Sequence, residues 1–429
     1  MRGSEHKATR PASARGGMAG SAPATVGDVR QRNRRHALRS IILSGQTTRA
    51  AIAQECGLSV ASVTNLVSEL INEGLVIEAG LIASTGGRPV TLIAPNPAGA
   101  FMLGADVGER GVAVELFDLS MTRIDREFTG GTAGEPVEAI ARDLDDALDA
   151  LKLRNPGAWD HMVGIGLGLP GVVETDAQGH QVLYAQSLGW PPVPVEQLIS
   201  HDIPVFAENG AKTLAMAELW NGAANGIDEA LVVLLGRGVG LGIVSGGELA
   251  HGFMSSAGEW GHLKIARNGR PCRCGGHGCV EAYLGADAIL NDWRGAGASV
   301  EGSGWRAIGE LLDAEQAGDP IAAAVVEDLV STLGSALGGL VNLTNPQRVI
   351  IGGWVGLRLM ETLAERISAA TRAEALDRPG SQFELVACHF GGDTVALGAA
   401  MMPLDSLLNE PRGTRPVLPA SERSAATVP

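Results

Sequence analysis

Apolar residues recur at helical spacing early in the chain. Leu38, Ile41 and Ile42 form one stripe, Ile52 and Ala53 a second, and Val63, Leu66, Val67 and Leu70 a third. The third repeats at i, i+3, i+4 and i+7, the period of one helix face. Three helices are therefore expected between about Val29 and Gly80. Thr47 and Thr48 are placed to cap the second helix and Ser59 the third, and Gly57 and Gly74 to end them. Leu75–Ile77 and Pro89–Ile93 follow as two short strands.

From Phe101 the pattern changes to apolar runs alternating with helix-like stretches. FMLGADVG, GVAVELFDL, Met162–Leu169, Ile203–Ala207, Ala230–Leu235, Gly240–Val244 and Arg348–Ile351 read as strands. Pro136–Leu153, Gly210–Trp220 and Ala322–Leu343 read as helices. Strands alternating with helices across glycine-rich turns predict an α/β fold with ligands at strand ends. Two related lobes are compatible with this pattern, which shows no short-period repeat. The segments 1–28 and 406–429, rich in small and polar residues, read as disordered tails. The expected domains are thus a head at 29–95 and a body at 96–405.

Charge divides the chain at the same place. Residues 1–95 hold 11 Lys and Arg against 6 Asp and Glu, whereas the remainder holds 22 against 42. A basic head on an acidic body fits a nucleic-acid-binding module, although a basic tail without a ligand gives the same imbalance. No run of eighteen uncharged apolar residues suggests a membrane span, and the polar N-terminus lacks a signal core. A cytoplasmic protein is expected.

Two short helices joined by Cys56-Gly-Leu-Ser59 make a helix-turn-helix, and the following strands make it a winged one. With the apolar stripe turned inward, Ser59, Ala61, Ser62, Thr64 and Asn65 are left to face double-stranded operator DNA. Arg88 on the wing is a candidate for a minor groove. Arg30, Arg32 and Arg34 are expected at phosphates. A plain interaction module with a solvated polar face would carry the same residues.

The densest chemistry lies at Glu259-Trp-Gly-His262 and Cys272-Arg-Cys274-Gly-Gly-His-Gly-Cys279-Val-Glu281. One imidazole and three thiolates (His262, Cys272, Cys274, Cys279) form a closed Cys3His set suited to structural Zn2+. His277, inside the knuckle, is a weaker competitor for the same ion. Cys56 and Cys388 read as buried small residues.

These motifs resemble the signature of the ROK family (repressors, open reading frames and sugar kinases), and match its fixed positions throughout. The resemblance runs from about residue 30 to 405 and takes in Asp106-Val-Gly108, Leu169-Pro-Gly171, Glu208-Asn209, Gly236–Gly247 and Ile351-Gly-Gly353. It implies a two-lobed actin-like, sugar-kinase (ribonuclease H-like) body behind the winged helix, the domain order of the family's repressors. It implies sugar contacts from Asn209, Glu259, His262 and Glu281, with His262 also bound to zinc. A homodimer or homotetramer is expected, with no membrane partner.

Phosphoryl transfer is not expected, and no catalytic residue is assigned. The family's kinases carry Glu-Asn-Asp-Ala, whose Asp takes the proton of the attacking hydroxyl. This chain has Glu208-Asn209-Gly210-Ala211. The kinases' phosphate turns, Asp-x-Gly-Gly-Thr and Gly-Thr-Gly, stand here as Asp106-Val-Gly108-Glu109-Arg110 and Gly236-Arg237-Gly238. The reading is a sugar-responsive DNA-binding regulator, with a sugar kinase carrying a DNA-binding head as the alternative.

Overall fold

The caps expected at the head are made. In a computed structural model that describes residues 26–83, 89–108, 111–130, 136–176 and 178–409, helix Arg49–Cys56 is capped by Thr48 and helix Val60–Asn72 by Ser59. Each hydroxyl accepts a backbone N–H three residues on, at 3.2 and 3.1 Å. Gly57 ends the former helix in the left-handed region (φ 63°) that glycine adopts without strain. The first helix, Val26–Ser44, precedes them, and strands Val76–Ile82 and Val90–Pro95 pair antiparallel as the wing. Arg88 and the rest of the connector lie outside the described residues, as do 1–25 and 410–429, which include most of both expected tails.

The body contains two five-stranded sheets with the same plan. The first runs Val205–Asn209, Met162–Leu169, Phe101–Gly108, Gly111–Asp118, Arg123–Thr129; the second runs Glu384–Ala387, Arg348–Gly352, Ala230–Leu235, Val239–Ser245, Glu248–Leu249. In each, the first three strands pair parallel, and the fourth is antiparallel to both the third and the fifth. Numbered along the chain within each lobe, both sheets have the spatial order 5-4-1-2-3. The two lobes are therefore related in topology without any repeat visible in the sequence. A small antiparallel sheet (Val172–Thr175, Gln181–Tyr184, Val193–Pro194) is inserted in the first lobe. Helix Pro320–Thr344 has the length and apolarity of a membrane span, yet its Val326, Leu333, Leu337 and Val341 are fully buried in the core of the second lobe.

Two helices tie the first lobe to the head. The last helix, Thr394–Asn409, extends four residues beyond the expected end of the body. It lies directly on the first sheet, because Gly104 and Gly166 offer no side chain there. Its Leu404, Leu407 and Leu408 join head residues such as Leu38, Ile41 and Leu70 in one apolar cluster. Arg35 reaches its Asp405 at 2.7 Å, and the Arg39 guanidinium lies 4.9 Å from the ring of Trp220, near the end of helix Gly210–Asn221. A Cβ at position 166 would fall 1.9 Å from the Ala399 carbonyl oxygen, so helix and sheet would have to part. Gly166→Ala is expected to cost about 1–3 kcal/mol, read as a lower urea midpoint at constant slope. An unchanged midpoint would mean that the helix is not seated as described.

Two of the three arginines expected at phosphates pair within the head. Arg34 is buried and paired with Glu73 at 2.6 Å, and Arg30 with Glu69 at 2.6 Å. Both carboxylates belong to the helix that faces DNA in the expected reading or to its C-terminal cap, so these arginines fasten the first helix to it. Arg32 remains exposed.

Candidate functional site

A cavity of about 530 Å³ lies between the lobes, within the range of small-molecule sites. Asn209, Glu259, His262 and Glu281, distant in sequence, all line it. Each is set by a local feature. Asn209 ends a parallel strand and caps helix Gly210–Asn221, accepting from the Ala211 N–H and donating to the Gly171 carbonyl, both at 2.8 Å. Glu281 opens the short helix Glu281–Leu284, is nearly buried, and accepts from the Val239 N–H at 3.2 Å. Glu259 precedes a 3-10 turn that ends at His262. Burial pushes its carboxyl above the ordinary range, opposed by His262 and Lys212.

The reach from cavity to metal set is one imidazole wide. His262 Nδ1 stands 3.7 Å from Cys272 Sγ, and Cys274 Sγ stands 3.7 Å from Cys279 Sγ. The four ligand atoms lie within 4.8 Å of one another. A tetrahedral ion with Zn–S bonds of about 2.3 Å requires sulfur–sulfur edges of roughly 3.8 Å, so the spacing fits zinc. The donor chemistry fits as well: burial pushes Cys272 up to about 12, and three crowded thiols need a cation to ionise together. Lys264 donates to Cys279 Sγ at 2.7 Å. His277 is exposed and outside the group. Cys388 is buried as expected, while Cys56 is partly buried.

One network escaped the sequence reading. Lys212, 1% exposed, donates to the carbonyl of Ser255, to its hydroxyl at 3.0 Å and to Glu208 at 3.4 Å. Glu208 also meets His251 at 3.0 Å and accepts from Ser255 Oγ at 2.9 Å. Burial alone would raise Glu208, but His251, Lys212, the Asn209 N–H and Ser255 together hold it below the usual carboxylate range. The network ties loop 250–258 to the helix that Asn209 caps, and so fixes Glu259 relative to Asn209. A lone lysine among the otherwise uncharged residues 210–217 is the one signal in the sequence that could have marked it.

Gly210 lines the cavity and puts no acid or base there; an added Cβ would meet nothing closer than 3.8 Å. Arg237 is held by Asp287 at 2.8 Å. Glu109 and Arg110 of the first turn lie outside the described residues. In the head, Ser59, Ala61, Ser62, Thr64 and Asn65 are all exposed on one side of helix Val60–Asn72. Thr64 Oγ1 donates to the Val60 carbonyl at 2.8 Å, and Ser59 and Ser62 share a hydroxyl contact at 2.9 Å. These hydroxyls keep acceptor capacity toward solvent.

Comparison with known proteins gives three informative matches. The chain is 29% identical over 353 residues to a xylose repressor of Caldicellulosiruptor bescii, covering 79% of this chain and 88% of that one. It is 29% identical over 312 residues to a glucokinase of Halalkalibacterium halodurans, covering 70% of this chain and 94% of the enzyme. A solved ROK family transcriptional regulator, described as a homolog of the E. coli MLC protein, superposes with a TM-score of 0.71 at 24% identity, covering 89% of this chain and 97% of the other. That likeness shows the fold, an actin-like sugar-kinase body with a helical head. The ROK family model matches residues 102–406. With that match spanning both lobes, the cavity and the Cys3His set, the chain belongs to the ROK family.

Proposed function

We propose that this chain is a sugar-responsive transcriptional repressor that binds operator DNA through its head and senses a sugar in the cavity of its body. The observation that carries this is the pairing of a hydroxyl-binding set with a missing base: Asn209, Glu259, His262 and Glu281 face a cavity in which position 210 is glycine. Carboxylates, amide and imidazole suit a polyol, since each accepts or shares several hydroxyl hydrogen bonds. Relatives named as a xylose repressor and a glucokinase support a carbohydrate ligand.

In this reading the head is residues 29–95 together with the first turn of helix Val26–Ser44, and the sensing domain runs from residue 96 to the end of helix Thr394–Asn409. Ser59, Ala61, Ser62, Thr64, Asn65 and Arg88 face DNA. One structural zinc sits on His262, Cys272, Cys274 and Cys279 and holds the His262 imidazole toward the sugar. The protein is cytoplasmic and acts as a homodimer or homotetramer, so that two heads meet one palindromic site.

The route from sugar to DNA is short. Helices Gly210–Asn221 and Thr394–Asn409 both start at the cavity, where Ala211, Leu214, Val395 and Ala396 line it. Both end beneath the head, at Trp220 against Arg39 and at Asp405 against Arg35. A sugar that binds one lobe angle more tightly than the other shifts these ends and hence the heads. Operator binding measured with and without sugar tests the proposal.

The kinase alternative predicts ATP-dependent phosphorylation. None is expected, and Gly210→Asp, although there is room for it, should not create good activity, because Arg237 remains where kinases have a hydroxyl. Turnover of any physiological sugar at about 1 s⁻¹ or faster in a coupled assay would overturn this.

A further inference from the structure

The cavity is larger than one sugar. A hexose, with the bulk of about six waters, fills roughly 180 Å³, about a third of the space between the lobes. The turn Gly236-Arg237-Gly238 lines the cavity between Glu281 and Trp354. At one end of that turn Glu281 packs on Gly238; at the other the Trp354 indole packs on Gly236. Gly236 and Gly238 are at most about 7 Å apart, so Trp354 lies across this turn from Glu281. Trp354 is placed there by Gly353, whose positive φ (75°) turns strand Arg348–Gly352 sharply into a helix. Trp305, 45% exposed, also lines the cavity, and its ring meets Arg358, one turn along the helix from Trp354.

The charge of this cavity selects against a polyphosphate. Among the described lining residues are three arginines and five Asp or Glu. Each arginine already has a carboxylate: Arg126 has Glu115 at 3.4 Å, Arg237 has Asp287 at 2.8 Å and Arg273 has Glu281 at 3.5 Å. A polyphosphate needs surplus cations, whereas this lining carries two more carboxylates than arginines. A neutral ring needs an apolar platform and a few hydrogen-bonding groups, which indoles beside an Arg–Asp pair provide.

We propose that the effector is a disaccharide or longer glycan: one ring on Asn209, Glu259, His262 and Glu281, and the next across the Gly236–Gly238 turn against Trp354 and Trp305. This rests on the sugar-sensor reading and adds a second subsite to it. The test is calorimetry on the full-length chain with D-glucose, D-xylose and N-acetyl-D-glucosamine, with maltose, cellobiose, xylobiose and N,N′-diacetylchitobiose, and with ATP. One disaccharide should bind at least tenfold more tightly than its monosaccharide. Trp305→Ala, which removes little core, and Trp354→Leu should each weaken that disaccharide by roughly tenfold and leave the monosaccharide unchanged. Glu259→Ala should weaken both. If mono- and disaccharide bind alike and the tryptophan variants alter neither, the second subsite is refuted while the sensor reading stands. ATP binding that the tryptophan variants abolish would also refute it, by assigning that end of the cavity to a nucleotide. No binding of any sugar would refute the inference together with the reading beneath it.

Discussion

Cys279→Ser protein is expected to purify with no zinc, against one zinc per chain in the wild type, and to lose its sugar response. Cys279 is fully buried, and its sulfur is central to the metal set. Segment 263–280 lacks regular secondary structure. Besides the bridges Lys264–Cys279 and Pro271–His277 and turn hydrogen bonds, it is held from outside mainly by Arg270 on Asp292 at 2.8 Å and by Gln186 on the Cys274 carbonyl at 2.7 Å. In such a segment the free energy of metal binding is folding free energy, and apparent values for structural zinc reach about 10–16 kcal/mol. Serine is a poor zinc ligand at neutral pH, so three remaining donors would bind far more weakly. The damage extends to the cavity at both ends of the segment, since His262 precedes it and Glu281 lies two residues past Cys279. The head, with its own capped helices, should keep its helical signal in circular dichroism. Metal analysis by mass spectrometry gives the direct readout. Full zinc occupancy in the Cys279→Ser protein would contradict the assignment.

The head and the cavity-lining set were legible in the sequence for different reasons. The caps at Thr48 and Ser59, the glycine stop at Gly57 and the inward stripe Val63, Leu66, Val67, Leu70 are local features, and local rules found them. Asn209, Glu259, His262 and Glu281 come from separate segments, and only the family motif joined them before the fold placed them around one cavity. What was not legible depended on tertiary partners. Arg34 reads as a phosphate contact until Glu73 is seen to take it into the interior. Strand Arg123–Thr129 has apolar residues at Ile124 and Phe128 that remain exposed at a sheet edge, so it lacks the alternation of a half-buried strand. Lys212 and the tryptophans at 305 and 354 have no periodicity to mark them, and their roles appear only once helix, loop and turn are assembled. The duplicated strand order of the lobes was equally hidden, because equivalent strands share position without sharing sequence.

The largest functional effect is expected from a single carboxylate far from the DNA. Glu259 lines the cavity and lies in the body, whereas the exposed face of Val60–Asn72 belongs to the head. Glu259→Gln keeps the shape of the side chain and removes its charge, so the fold and the operator-binding face should persist. Burial disfavours the charged carboxylate at this position, which makes the amide easy to accommodate. A polyol loses its strongest acceptor, and with it the differential affinity that moves the lobes. The measurement is operator binding by the full-length chain, wild type and Glu259→Gln, with and without a saturating concentration of the sugar that calorimetry identifies for the wild type. The wild type should lose affinity on adding the sugar, by about 5–150-fold, the usual span of allosteric coupling. Glu259→Gln should bind the operator as tightly as sugar-free wild type and should not respond. A full sugar response in Glu259→Gln, or a wild type whose operator affinity no sugar changes, would contradict the claim that this cavity controls the head.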